Sequence, residues 1–487
     1  MKQTGILAIA VWLSACASAP PEARLVNDAA DALGGKDRVL AVKSLVLEGE
    51  GEAPNLGQNI LPDAELPVWK VTEYRRAIDP AGGRMRVMQT RTAQFLFAAS
   101  PVQKQDQGLD GDVAYNVGGN GATRAGGAAV RDRRIELLHH PVTVVRAALD
   151  PSAKLANLHD AGNLQVVDVT TAAGEKFTLA VDKATKLPTS VTSMSDQPNL
   201  GDVAIETRFA DYETVGGVKV PKHLTTRIDK YPQFDLRVSR NAVDADAGDL
   251  AAPAAVRDAA APQPPPMVVD VQPVGKGIWW LAGSGNHRSV VFEFDDHLTL
   301  YEVPVSEARS KAVIDKARTL STKPLTTAIV SHHHFDHSGG LRVAVAEGLT
   351  IVTYKDNVEF FKDLVARKHT IAPDALAKNP QPLKIEAVGD EQVLKDGSME
   401  VHLYHLKNNP REGTNLFAYV PRDRMLVQAD LYDSTWTFHH WWDNVMDNLK
   451  ERTLKVDKDV PVHGAIQSFS DVLKTVEATR KANGNAS

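Results

Sequence analysis

Between Ser331 and Leu341 the chain reads Ser-His-His-His-Phe-Asp-His-Ser-Gly-Gly-Leu. Four histidines and a carboxylate between His332 and His337 make a poor core element, because every buried imidazole needs a partner. Imidazole and carboxylate together are metal ligands. The preceding Thr326–Val330 predicts a strand. At its end His332 and His334 point the same way, since strand side chains repeat every two residues. After a tight turn, Asp336 and His337 face a second point close by. The one cysteine, Cys16, leaves the body without a thiolate. A site built on imidazole and carboxylate alone suits one or two zinc ions best, with iron or manganese as alternatives.

Two later positions carry the same residue types. Met425–Ala429 is an apolar run that ends on Asp430, and Val460-Pro461-Val462 leads into His463-Gly464. Taken singly, Asp430 is a strand-ending carboxylate and His463 a loop histidine. The motif His-x-His-x-Asp-His at a strand end, followed by Gly-Gly, resembles the metallo-β-lactamase-fold superfamily over about residues 267–487. The resemblance implies a first metal on His332 and His334 and a second on Asp336, His337 and His463, with Asp430 bridging. It also implies a third histidine for the first metal, shortly before the strand that leads to Asp430. Here that stretch is Asn408 to Phe417, and the residue in the slot is Arg411. Arginine is always protonated and has no lone pair to give. The first site is therefore expected to be weak, with Arg411 free to hold a substrate carboxylate or oxyanion. His405 could substitute if the loop folded back, but alternation from Val401 to Leu406 makes it an ordinary strand histidine.

The resemblance implies hydrolysis of a small molecule: an ester, lactone, thioester, β-lactam or phosphodiester. Metal-activated water would attack, Asp336 would orient it, and Arg411 would assist as a second catalytic residue. Two other readings fit the residues. One is a mononuclear iron dioxygenase on two histidines and one aspartate. The other is a non-catalytic envelope binding protein whose site Arg411 has made degenerate. Phe438-His439-His440-Trp441-Trp442-Asp443 reads either as a pocket wall or as a packed surface loop, and His287 as a structural or rim residue.

The elements that must position these residues alternate. Predicted strands Ile278–Leu281, Ser289–Phe294 and Thr299–Val303 precede a helix from Glu307 to Leu320 with Ser306 as N-cap. Strand–helix alternation of this kind implies an α/β sandwich with helices outside, the αβ/βα layering of the superfamily. Residues 242–266 are rich in Ala, Asp and Pro and predict a linker. Upstream, residues 17–241 carry a helix near Val26–Leu33 and then strand-period segments such as Ser44–Glu48, Phe177–Val181 and His223–Ile228, which predict an antiparallel β-rich domain. Its rhythm resembles the half-barrel domains of periplasmic lipoprotein carriers. Gly118-Gly119-Asn120-Gly121 lacks a phosphate-binding fingerprint and predicts a flexible loop.

The bulk numbers bound the rest. A chain of 487 residues implies two or three domains. At 43% hydrophobic and 24% charged the composition is globular, and a net charge of −6 offers no basic field for nucleic acid. The apolar run Gly5–Leu13 is too short to span a bilayer and predicts an export signal. Residues 1–16 read as a signal peptide ending in Leu13-Ser14-Ala15-Cys16, which resembles the lipobox of bacterial lipoproteins and implies cleavage just before an acylated Cys16. Ala17 after the anchor implies the periplasmic face of the outer membrane. Nothing in the sequence indicates an oligomeric state.

Overall fold

The computed structural model describes residues 19–98 and 100–484. Cys16 and the export segment lie outside the described residues. Two units share the chain, each built on its own sheet system.

The first unit is a single thirteen-stranded antiparallel sheet. The chain enters at the middle of the sheet with Leu45–Pro54 and meanders to Gly121–Arg124 at one edge. It crosses through helices Gly127–Leu138 and Pro141–Ala148 to Lys154–Ala161 at the other edge, and meanders back until Tyr231–Val243 pairs with Leu45–Pro54. Alternation drives this: one face of the strands supplies Leu47, Val71, Leu179 and Val220 to a core closed by Leu25, Val26 and Leu33 of helix Pro21–Leu33. That helix starts before Val26 because Pro21 is tolerated in the first turn, where its missing N–H costs nothing. It stops at Gly34, whose φ of 132° needs glycine. The glycine-rich segment expected as a flexible loop is instead the turn joining hairpin strands Val113–Gly118 and Gly121–Arg124. The Ala/Pro-rich stretch also differs from a free spacer in its first half. Leu250, Ala252 and Val256 are buried, and Tyr115 donates its hydroxyl proton to the Leu250 carbonyl at 3.3 Å.

The second unit is a sandwich of a seven-stranded and a six-stranded sheet. Ile278, Phe292, Tyr301, Ile329, Leu403 and Val427 are among the side chains that fill the space between them. Fully burying each such side chain is worth about 1.5–3 kcal/mol. Helices Glu307–Ala317, Leu341–Ala346 and Val358–Ala366 cover the outside of the first sheet, and Trp442–Glu451 and Phe469–Ala482 the outside of the second. This is the helix–sheet–sheet–helix layering expected from the alternation. Ser306 caps Glu307–Ala317 as expected, accepting from the Arg309 N–H.

One edge of the sandwich collects strand ends. Leu298–Tyr301 runs parallel to Leu325–Ile329, and Met425–Gln428 parallel to Lys458–Pro461. Their carboxyl ends deliver Glu302, Ser331–His334, Asp430 and His463. Loops at carboxyl strand ends are where α/β sheets hold ligands. The two units meet at this edge, where the Gly57 carbonyl accepts from the Phe335 N–H at 3.3 Å and the Ile60 carbonyl from the Gly413 N–H at 2.8 Å.

Candidate metal centre

After strand Leu325–Ile329 the chain stays buried through Ser331, His332, His333 and His334, then turns into the single helical turn Phe335–Ser338. The glycines that end the motif are needed for close approach. A Cβ on Gly340 would run into the Ser310 side chain, and one on Gly339 into the Val305 carbonyl. His332 and His334 converge, with Nε2 of the first 3.1 Å from Nδ1 of the second. His333 points away, to the Thr414 hydroxyl and the Asn59 carbonyl. The i, i+2 reading of the motif therefore describes its geometry.

Two groups of ligand atoms form. His332, His334 and Asp430 make one, and His287, Asp336, His337 and His463 the other, with the atoms in each group within 4.8 Å of one another. Asp430 lies between them. Its Oδ1 is 3.1 Å from His463 Nε2 and 3.3 Å from His337 Nε2, while Oδ2 is 3.7 Å from His332 Nε2. Asp430 holds a left-handed φ of 63°, a costly conformation for a residue with a side chain, and Glu302 does the same at 79°.

Partners on the far side of each ring fix its tautomer. His337 Nδ1 is 2.7 Å from Glu302 Oε2, and His463 Nδ1 is 3.0 Å from the Asn286 carbonyl. Both partners only accept, so both Nδ1 atoms carry protons and both Nε2 atoms turn inward, 3.2 Å apart. Asp430 Oδ1 and Asp336 Oδ2 face the same space. Four inward acceptor positions require a proton or a cation among them. The electrostatics agree: burial alone would lower the His337 pKa, but Asp430, Asp336 and Glu302 outweigh it and hold it well above the usual range. His332 and His334 behave oppositely. Burial first, then neighbouring imidazoles and Arg411, keeps them neutral and able to donate lone pairs. His334 Nε2 donates to the Asn59 carbonyl at 2.9 Å, which leaves Nδ1 free to bind. The donor set, all imidazole and carboxylate with oriented lone pairs, suits a divalent ion.

Four contributors were not found in the sequence. His287, read there as structural or rim, stands with Nε2 3.3 Å from Asp336 Oδ2 and joins the second group. Glu302 is fully buried and binds both the Ser331 N–H and His337. Gln58 and Asn59 belong to the first unit: Gln58 Nε2 donates to Asp336 Oδ1 at 2.8 Å, and the Asn59 carbonyl caps His333 and His334. A loop of the β-rich unit thus roofs the first group. Exposure falls on the other side, where the Asp336 side chain is 30% and His287 20% accessible.

Arg411 stands where the third ligand was missing, but it is not free for substrate as expected. Nε and Nη2 both donate to Asp430 Oδ2, at 3.0 and 2.5 Å. The guanidinium carbon lies 4.4 Å from the Phe97 ring centroid, 5.6 Å from Trp441 and 5.9 Å from Trp436, within range for cation–π attraction. Trp441 in turn donates its indole N–H to the Asp430 carbonyl at 3.0 Å. Within the 438–443 segment Phe438, His439, Trp441 and Trp442 are thus packed into the fold while His440 and Asp443 stay exposed, and Trp441 walls the arginine. His439 is stacked on Tyr432 and sits apart from the ligands. His405 does not take the vacant place: its Nε2 is 2.9 Å from the Gly413 carbonyl and its ring stacks on Tyr354.

No protein-family model matches the chain, and no curated protein does either. Among solved structures, a metallo-beta-lactamase from Pontibacter korlensis is 15% identical, over 44% of this chain and 99% of that one, with a TM-score of 0.33. One from Hirschia baltica is 15% identical over 43% and 97%, with a TM-score of 0.33. A flavodiiron core from Synechocystis is 14% identical over 45% and 62%, with a TM-score of 0.35. These are likenesses of fold. The strand order and the placement of His332–His337 at a strand end agree with the layered α/β sandwich that the sequence resemblance implies for the second unit.

Proposed function

We propose that the chain is a metal-dependent hydrolase of the cell envelope in which one divalent ion, zinc by preference, is held by Asp336, His337 and His463 with Asp430 and His287 adjoining. The observation that carries this is the division of Asp430: one oxygen faces the second group's imidazoles, and the other is taken by a guanidinium. Arg411 then supplies the positive charge that a first cation would have supplied.

Bound there, a divalent ion would acidify water and polarise a substrate carbonyl or phosphoryl oxygen. The remaining work belongs to the chain's own side chains. Asp336, the most accessible of the carboxylates, is oriented through Oδ1 by Gln58 and turns Oδ2 toward His287, so Oδ2 is placed to align water and take its proton. Glu302 fixes the proton of His337 on Nδ1. The small-molecule substrate enters from the side of His287 and Asp336, where accessibility is concentrated. The iron dioxygenase reading would use His332, His334 and Asp430, but Arg411 already donates to the oxygen that such a site needs.

Elemental analysis of the purified body, followed by a panel of ester, lactone, thioester, β-lactam and phosphodiester substrates, tests this reading. About one zinc per chain and metal-dependent turnover are expected. Absence of stoichiometric metal would favour the non-catalytic envelope protein. Placement in the outer membrane through an acylated Cys16 is part of the proposal, and mass spectrometry of the mature N-terminus tests it. No described helix is long and apolar enough to cross a membrane.

A further inference from the structure

On the inner face of the thirteen-stranded sheet, a cavity of about 570 Å³ lies between the strands and helix Gly127–Leu138. Small-molecule sites span about 300–1,000 Å³. Much of its wall is apolar, with Tyr74, Val87, Val203, Ile205, Leu224 and Phe234 turned inward. Part of the wall is charged. Arg76 is 5% exposed, and its Nε and Nη2 have no partner among the described residues. The acid beside it is Glu136, whose Oε1 stands 3.9 Å from Arg76 Nη1, too far for a hydrogen bond. Ser195 Oγ, on a side chain 2% exposed, lines the same cavity and is also without a partner. The cavity's second buried arginine, Arg133, is satisfied by the Gly108 and Tyr115 carbonyls and the Asn116 side chain.

A buried guanidinium with unmade hydrogen bonds is costly, and helix–sheet interfaces normally close to crystal-like density. An open, largely apolar chamber with an unpaired fork in its wall has the form of a receptor for an amphiphile. We propose that this cavity binds a small organic anion with an apolar body, its carboxylate or phosphate held by the Arg76 fork and the Ser195 hydroxyl and its chain laid along the apolar wall. Glu136 does not prevent this. Burial raises its pKa against the pull of Arg76 and Arg133, and its carboxyl stands too far from Arg76 to occupy the fork. His139 also lines the cavity and is neutral, its pKa pushed down to about 3 by burial and then by Arg76, with both ring nitrogens occupied by Thr207 and Ser193. The proposal does not rest on the metal centre.

Calorimetric titration of the full chain with dodecanoate, dodecyl phosphate and dodecyltrimethylammonium tests it. The two anions should bind and the cation should not. Arg76→Met, which removes the charge and keeps the length, should weaken anion binding at least about tenfold, the worth of a charge-assisted pair. Ala129→Trp, which fills the chamber from the helix, should abolish it with the strand core untouched. Glu136→Gln should leave it equal or tighter. Co-sedimentation of Cys16→Ser, which can carry no acyl anchor, with phosphatidylglycerol vesicles separates the sources: pelleting of that form but not of the same form with Arg76→Met makes the ligand a membrane lipid, and binding of dodecanoate without pelleting makes it a free acid. No binding of either anion, equal binding of the cation, or indifference to Arg76→Met would overturn the proposal and leave a hydrated chamber.

Discussion

Arg411 and Asp430 form a buried pair in which two guanidinium N–H groups converge on one carboxylate oxygen, Oδ2, and leave Oδ1 to the imidazoles of His337 and His463. Their side chains are 7% and 1% exposed, so neither charge is screened by water. Removing one partner of such a pair leaves an uncompensated charge and typically costs about 3–5 kcal/mol. A cation bound at His332 and His334 would have to displace this pairing to reach the same oxygen.

Arg411→His should therefore change stoichiometry and stability together. The natural protein is expected to hold about one tightly bound metal, and the variant about two. Without metal the variant should melt earlier, because Asp430 has lost its counter-charge, and added zinc should restore its melting temperature more than it raises that of the natural protein. Two equally tight sites in the natural protein, measured by calorimetric titration with zinc, would remove the basis for Arg411 as a substitute charge.

Asp336→Ala should reduce turnover by several orders of magnitude with the fold intact by circular dichroism, since it removes a ligand and the group that orients water. Gln58→Leu is the more discriminating variant. Gln58 belongs to the other unit and hydrogen-bonds the centre at Asp336 Oδ1. Losing such an outer partner commonly costs 10- to 100-fold in metal affinity or activity. Unchanged zinc affinity in Gln58→Leu would show that the first unit does not support the second group through Asp336.

Glu302→Gln keeps the size of a fully buried side chain and removes its charge. The amide can still accept from one donor, but it cannot compensate both the Ser331 N–H and His337 as the carboxylate does. Zinc affinity should fall about 10- to 100-fold. The pH at which zinc dissociates should rise, because a less basic His337 competes less well for the ion. An unchanged dissociation profile would assign Glu302 to folding alone.

How far these positions were legible depends on how far apart their partners lie. The His332–His337 motif carries its chemistry locally, so spacing alone places two imidazoles on one side of a strand end. Asp430 and His463 followed from their order along the chain and the apolar runs before them. Glu302 was hidden inside an apolar run read as strand Thr299–Val303, although an acid between Tyr301 and Val303 is itself a sign of a buried carboxylate that needs donors. Gln58 and Asn59 could not be read, because their contacts span more than 270 residues and depend on how the two units dock. For Arg411 the position was legible and the partner was not. Whether its charge meets a substrate or Asp430 is decided by loop geometry.

Asp459 offers a test of the second sheet that is independent of any metal. It is 1% exposed, on strand Lys458–Pro461, with Gln428 Nε2 3.4 Å away. Burial raises its pKa to about 8, offset in part by Gln428 and reinforced by Asp433. The folded protein thus keeps a proton that the unfolded chain releases near pH 4. Below that pH both states are protonated and the acid costs nothing. Between about pH 4 and pH 8 the folded state binds more protons, so stability falls as pH rises, by up to about 1.4 kcal/mol per unit. Above about pH 8 both states are ionised and the loss levels off. Asp459→Asn keeps the shape and the contact with Gln428 but cannot ionise, so it should be slightly stabilising at pH 5 and much more so at pH 8. Urea midpoints of the two proteins at both pH values check this. A variant whose advantage is the same at pH 5 and pH 8 would mean that Asp459 is already ionised in the fold.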